Sequence, residues 1–360
     1  MNKLLNALLH TPLKNGLNKL PVKMMLKADT IKRAIILLVA FFAPNHFVKA
    51  QQKPQYTQYM LNSYLLNPAF AGIENYIDIK AGYRNQWAGL DGSPKTTYLT
   101  ATMPIGKGFL NGGPGSGNPS GRSYTQTYMA AEPHHGVGLF LLSDEAGLLK
   151  STSVSGSYAY HLGLSPSVNM SAGVTAGVNR YTLNSSAVTT TDPGDPLVNA
   201  GSIGAWNPDI SIGAVAYSSD YYIGVSVQQL FPQRVFAEDV LKGSKTVPHF
   251  FVTSGVRLFL TDEITLVPSA VVKVIRPMPL AFDVNLKLNF HDVFWIGSSY
   301  RKDDSFGAFA GFNLSSLISV GYYYDMTTSY LKTVSQGTHE IVLGIMLNNK
   351  YQVKCPQRSF

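Results

Sequence analysis

From Ser167 to Asn179 the chain alternates without a break. Val168, Met170, Ala172, Val174, Ala176 and Val178 hold one parity, and Ser167, Asn169, Ser171, Gly173, Thr175, Gly177 and Asn179 hold the other. Side chains on a strand point alternately to opposite faces, so this period of two fixes a strand with one apolar and one polar face. Leu280, Phe282, Val284, Leu286, Leu288 and Phe290 repeat the pattern, and here Asp283 and Lys287 put charge on the polar face. A soluble sandwich would turn that face to bulk water, whereas a membrane barrel turns the apolar face to lipid and the polar face to its lumen. Strand length favours the barrel, because a tilted membrane strand needs about ten residues and soluble strands more often have five or six.

The same reading along the chain predicts fourteen strands in an all-β, antiparallel transmembrane barrel of the outer-membrane type. They run from Ile77 to Trp87, Thr96 to Ile105, Gly136 to Ser143, Leu149 to Leu162, Ser167 to Leu183, Asp209 to Ser218 and Tyr221 to Gln229. The second half follows from His249 to Leu260, Glu263 to Ile275, Pro279 to Phe290, Val293 to Arg301, Ser305 to Leu314, Leu317 to Asp325 and Thr338 to Asn349. An even count suits a bacterial single-chain barrel, and so do the loops, which alternate between tight and long as periplasmic turns and external loops do. The stretch 106–135, rich in Gly and Pro, breaks the rhythm. It is either a periplasmic appendage or conceals a strand pair around Thr125 to Ala131. Aromatic residues near strand ends (Tyr83 and Trp87, Tyr158 and Tyr160, Tyr221 and Tyr222, Phe294 and Trp295, Tyr322 to Tyr324) fit an interfacial girdle, with ordinary strand propensity as the alternative.

Ahead of the strands, a basic stretch from Lys27 to Arg33 leads into the ten apolar residues Ala34 to Ala43 and a small-x-small pattern at Val48-Lys49-Ala50. This predicts a signal peptide over residues 1–50, cleaved after Ala50. Ten residues of helix span only about 15 Å, too short for a membrane anchor. The formal charge of +8 is concentrated there, since residues 1–50 hold eight Lys/Arg and one acid, which leaves 21 basic and 20 acidic residues beyond. A nearly neutral mature chain lacks the basic surface that nucleic-acid binding needs.

No catalytic or cofactor-binding pattern emerges. The glycines of 112–117 are not followed by the Lys-Ser/Thr of a phosphate loop. His134 and His135 are adjacent, so a strand sends them to opposite faces. Asp192 and Asp195 fit a solvated turn better than a calcium site. The single cysteine, Cys355, excludes an intramolecular disulfide. What remains is charge on the inward parity: Asp78, Lys80, Arg84, Arg257, Lys273, Asp283 and Lys287. Lys or Arg facing lipid at mid-membrane would cost about 2–4 kcal/mol each, so these residues belong inside, either as a generally polar lumen or as an ion-pair network that helps close it. Residues 51–75 form a further segment with Tyr56, Tyr59, Met60, Tyr64 and Phe70, too aromatic for a free tail. Asn67-Pro68 keeps it from being the first strand. It is expected either in the lumen or docked on a periplasmic partner, and a fourteen-strand lumen is wider than wall side chains alone can fill.

This segment also carries a resemblance. Gln58-Tyr59-Met60, with Gln52-Lys53-Pro54 before it and Asn67-Pro68-Ala69-Phe70-Ala71-Gly72 after it, resembles the opening of the PorP/SprF family of type IX secretion membrane proteins. Similar matches follow at 83–94, Met103 to Gly106, Asp144 to Gly147, Ser157 to Leu162, Ile223 to Leu230, Val267 to Lys273, 294–311, 320–331, 339–344 and in the tail from Cys355. The long basic leader, the stretch 106–135, Gln357 and Ser359 depart from the pattern. The resemblance implies an outer-membrane protein of the Bacteroidota in type IX secretion or gliding motility. Its implied partners are a periplasmic lipoprotein or peptidoglycan-binding component, or a secreted adhesin with a C-terminal secretion signal. No enzymatic activity is implied. The resulting division is leader 1–50, segment 51–75, barrel 76–349 and tail 350–360.

Overall fold

The computed structural model describes Tyr59 and residues 61–106, 130–184, 202–233, 245–261, 263–291 and 293–349. The leader, Gln58, Met60, most of 106–135, Asp192, Asp195 and the tail lie outside them. The first half of the wall comprises β1 (Ile77–Asn85), β2 (Lys95–Ile105), β3 (His134–Ala146), β4 (Leu149–Ser165), β5 (Val168–Asn184), β6 (Ser202–Tyr217), β7 (Tyr221–Gln228) and β8 (His249–Val256). It continues through β9 (Leu258–Phe259), β10 (Ile264–Ile275), β11 (Ala281–Phe290), β12 (Phe294–Arg301), β13 (Ser305–Asn313), β14 (Ile318–Thr327) and β15 (Thr338–Leu347).

All pairings are antiparallel, and β15 returns to β1 from Ile77↔Leu347 to Asn85↔His339, so the sheet has no open seam. The two-residue β9 continues β8 past Arg257 and shares its partner β10, which makes fourteen staves of the fifteen strands. Closure satisfies the backbone hydrogen bonds within the wall, the condition for strands to cross a bilayer. Among the described residues no helix is long and apolar enough to cross a membrane. β2 and β3 pair directly from Lys95↔Glu145 to Ile105↔His135, so no stave intervenes where a hidden strand pair was conceivable.

The alternation in sequence becomes alternation across the wall. In β15, Thr338, Glu340, Val342, Gly344 and Met346 are buried inside, while Ile341, Leu343 and Leu347 are exposed outside. The outer face is an apolar band of such residues, as lipid contact requires. The aromatic pairs obey the same rule, which corrects the girdle: Tyr221 and Tyr322 face out, but Tyr222, Trp295 and Tyr323 are buried in the lumen.

β6 starts at Ser202, seven residues before the start at Asp209 that Pro208 suggests. β6 pairs with β5 throughout, but with β7 only as far as Ile212↔Val227, with one further bond from Leu230 N to Ile210 O. Ile210 thus turns its backbone groups toward the β7 side, and Pro208, two residues away, does the same. Among the described residues no strand pairs with β6 there, so the missing N–H costs no ladder bond.

Candidate functional site in the barrel lumen

The most elaborate polar and steric recognition in the molecule is directed at its own N-terminal segment. Tyr59 and residues 61–76 lie inside the wall. Two short 3-10 turns shape the segment, Ser63–Leu65 and Pro68–Phe70. Asn67 caps the second, its Oδ1 accepting from Ala69 N at 2.9 Å, and Pro68 follows where a helix start needs no donor.

The wall holds this segment from many sides. Asn62 Nδ2 donates to Thr100 Oγ1 of β2 at 2.8 Å, and Tyr64 OH bonds Ser157 Oγ of β4 at 2.7 Å. Asn67 Nδ2 donates to Ala214 O of β6 (3.1 Å) and Val225 O of β7 (3.2 Å). Ser226 Oγ donates to Leu66 O (2.6 Å), and Gln228 Nε2 donates to Leu65 O (2.8 Å). Tyr59 OH meets Asn285 of β11. The segment's own side chains make most of these bonds, and wall side chains donate to its Leu65 and Leu66 carbonyls, so part of a buried non-regular backbone is satisfied by the wall.

Close approach is possible because strand glycines line the contact. A Cβ on Gly173 would lie 2.7 Å from Pro68 C and O and from Ala69 N, and one on Gly138 would lie 2.5 Å from Tyr64 OH. Gly136 is covered by the Ala71 carbonyl, and Gly213 by the Asn67 side chain. Gly72 has φ +70°, and a side chain there would meet Gly136 Cα at 2.5 Å and Met103 O at 2.9 Å. Position 72 therefore needs glycine for its backbone conformation and for space.

Two histidines close over the same turn. His134 and His161 are cross-strand neighbours on β3 and β4, and their rings stack 4.5 Å apart. His161 Nε2 lies 2.8 Å from Ala71 O, with Nδ1 2.9 Å from Tyr217 OH, and His134 Nε2 lies 3.2 Å from Gly72 O. Around these polar contacts the segment fills apolar clusters: Phe70, Ala71 and Ile73 pack with Val215, Tyr217 and Tyr222, while Tyr59 and Leu66 pack with Phe251, Trp295, Phe309 and Tyr323. A cavity of about 40 Å³ remains beside Tyr64 and Pro68, lined by Ser155, Thr175, Asp209 and Ser211 among others. That is room for only a few waters.

The inward charges fall into separate groups. Lys80 pairs with Asp78 on β1. Arg84 reaches Glu340 at 3.1 Å and Asp325 at 3.7 Å, all three buried. Asp283 pairs with Arg301 at 3.2 Å, and Arg301 also holds Asp304 at 3.0 Å. Lys287 is buried on β11 and Lys273 sits across the sheet on β10, where Val271 pairs with Asp283. Arg257 is half-buried at the end of β8, its N–H donating to Asp220 O. Thus Asp78–Lys80, Arg84 and Asp283 are brought into ion pairs, but Glu340, Asp325, Arg301 and Asp304, which complete the last two, were not singled out from sequence. Of the motif residues, Tyr59, Asn67, Pro68, Ala69 and Gly72 form the lumen contacts just described. His161 lies within the family match Ser157 to Leu162, and His134 reads in sequence only as a candidate metal ligand; neither pattern reveals that the two stack over the segment, which follows from their pairing across β3 and β4. Among the described residues no group of three His, Cys, Asp or Glu is placed to hold a metal ion.

The family of type IX secretion system membrane proteins PorP/SprF matches residues 48–345. The chain belongs to the PorP/SprF family. No curated protein sequence matches it. Solved structures similar in fold are outer-membrane barrels. The translocator domain of autotransporter NalP from Neisseria meningitidis shares 10% identity over 90% of this chain and 97% of its own, at a TM-score of 0.38. The CymD monoaromatic hydrocarbon channel shares 11% over 83% and 94%, at 0.44. A Pseudomonas aeruginosa FadL homologue shares 9% over 82% and 94%, at 0.45. In this PorP/SprF protein the described part of the N-terminal stretch, Tyr59 and residues 61–76, lies in the lumen.

Proposed function

We propose that this protein is a plugged outer-membrane component of the type IX secretion system that assists secretion or surface attachment of cargo such as gliding adhesins. Membership of the family supports the secretion role. The observation that carries the reading against an open solute channel is the lumen itself: residues 61–76 lie in it, their carbonyls held by wall side chains and their Asn67 bonded to wall carbonyls. An open, water-filled lumen is the simplest diffusion pore, and a lumen occupied by the chain's own segment weighs against it. Export through a leader cleaved after Ala50, a Bacteroidota host, and partnership with a periplasmic lipoprotein or peptidoglycan-binding protein complete the proposal. No catalytic step is assigned.

Deletion of the gene and comparison of the secreted proteome tests this. One or more cargo proteins should accumulate in the periplasm while solute uptake stays normal. Normal secretion of every cargo together with impaired uptake would replace the proposal with the passive pore.

A further inference from the structure

β4, β5 and β6 are 17, 17 and 16 residues long. On their outer face, at the end of the barrel opposite the start of β1 and the end of β15, the apolar band stops abruptly. Its last cross-strand row there is Val154, Val178 and Pro208. The next row is Thr152, Arg180 and Trp206, and the one beyond is Lys150, Thr182 and Gly204. The Arg180 guanidinium lies 5.5 Å from the centre of the Trp206 ring, and that ring is 58% exposed. Gly204 carries no side chain beside this pair; a Cβ there would crowd Tyr181 O at 3.1 Å and Thr182 Oγ1 at 3.3 Å and reach within 3.6 Å of Arg180 Nε. Lys150 sits diagonally from Arg180 across one strand pair, at a separation that long side chains bridge. The nearby carboxylate is Glu145, opposite Lys150 on β3, and it is itself opposite Lys95 of β2. Among the described residues neither Lys150 nor Arg180 is in an ion pair.

Among the described residues the exposed charges of the two barrel ends point the same way. Exposed basic residues at the far end include Lys95, Lys150, Arg180, Arg276, Lys302 and Lys332, with Lys245 in the β7–β8 connection, against exposed Asp91, Glu145 and Asp303. At the end where β1 starts and β15 finishes, the described exposed carboxylates are Glu132, Asp220 and Glu263, and no described Lys or Arg is exposed there.

We propose that Lys150, Arg180 and Trp206 form a binding site for the phosphate group of an anionic lipid in the outer leaflet. A cation pair immediately above an apolar band places positive charge at headgroup depth. A tryptophan at that depth packs its ring between acyl chains and headgroups while its face steadies the guanidinium. Arg supplies a planar fork matched to phosphate and Lys a second point charge. The site depends on neither the plug nor the secretion role, so its failure leaves both untouched.

The test uses the purified full protein in nanodiscs of zwitterionic lipid doped with lipid A carrying its phosphates, or with the same lipid after phosphate removal. Retained lipid is counted by native mass spectrometry. The wild type should retain the phosphorylated lipid and discriminate against the dephosphorylated one. At about a factor of five for each basic residue, K150Q/R180Q should weaken retention about 30-fold. R276Q/K332Q removes the same charge elsewhere on the far end and should change retention less than threefold. W206A should weaken retention with the net charge intact, and free inorganic phosphate should not compete. Equal retention of the phosphate-free lipid, or equal losses in K150Q/R180Q and R276Q/K332Q, would overturn the site. If K150Q/R180Q failed to fold, W206A and the paired lipids would still decide the matter.

Discussion

Gly173→Ala adds one methyl group to the inner face of β5, aimed at the turn Pro68–Ala69. The new Cβ would lie 2.7 Å from three backbone atoms of the segment, about 1 Å inside ordinary van der Waals contact. β5 is paired on both sides and cannot retreat, so the turn must move. A shift of that size stretches the two Asn67 bonds to Ala214 O and Val225 O, now 3.1 and 3.2 Å, beyond hydrogen-bond range. Overpacking costs about 1–3 kcal/mol, and two lost hydrogen bonds add about 1 kcal/mol each. The Gly→Ala change returns about 0.5–1 kcal/mol by restricting the unfolded chain. The net destabilisation of the docked segment is about 2–4 kcal/mol. Gly156→Ala on β4 is the control: it faces outward, its Cβ would meet nothing closer than Gly138 O at 4.0 Å, and it gains the same entropic term. In detergent, G173A should expose 61–76 to protease, lower the temperature at which the barrel changes gel mobility, and give steady conductance in planar bilayers. G156A should match the wild type in all three. A G173A protein with a protected segment and a silent bilayer would refute the argument that wall glycines seat the plug.

Asn67→Ala removes both wall bonds and the cap on Ala69, and should weaken plug docking by about 2–3 kcal/mol, read as faster proteolysis within 61–76. Arg84→Met leaves Glu340 and Asp325 buried without their shared cation and should destabilise the barrel by about 3–5 kcal/mol in a denaturant titration, with part of the loss restored by adding E340Q/D325N. In a Cys355→Ser background, a cysteine at Lys332 should label on intact cells, while one at Asp220 should label only after permeabilisation; the reverse would invert the orientation. Pro208→Thr should leave the unfolding midpoint within about 0.5 kcal/mol, because the donor it restores faces a side of β6 where no described strand pairs.

The wall was legible in the sequence because a membrane strand must declare its faces residue by residue. Lipid on one side and a packed lumen on the other leave no freedom in parity, so Val168 to Val178 and Val284 to Leu288 could be assigned from period two alone, and most strand limits follow. The start of β6 was not legible, because whether Pro208 ends a strand depends on whether its other edge has a neighbour, and that is set by how far β7 climbs. The girdle correction, by contrast, is a matter of parity: Trp295 and Tyr323 look interfacial by type, yet their parity sends them inward.

The lumen divides along the same line. That Asp78, Lys80, Arg84 and Asp283 lie inside follows from the cost of a charge in lipid, which is a property of each residue alone. That Arg84 meets Glu340 and Asp325, or that Asp283 meets Arg301, follows only from which strands the closed sheet makes neighbours. Residues 61–76 show the division most clearly. Their aromatic content and Asn67-Pro68 marked them as ordered and as no strand. The place they occupy was decided by glycines at 136, 138, 173 and 213 and by His134 and His161, on the four neighbouring strands β3 to β6, because only the pairing register of those strands gathers their small and polar inner faces around one backbone.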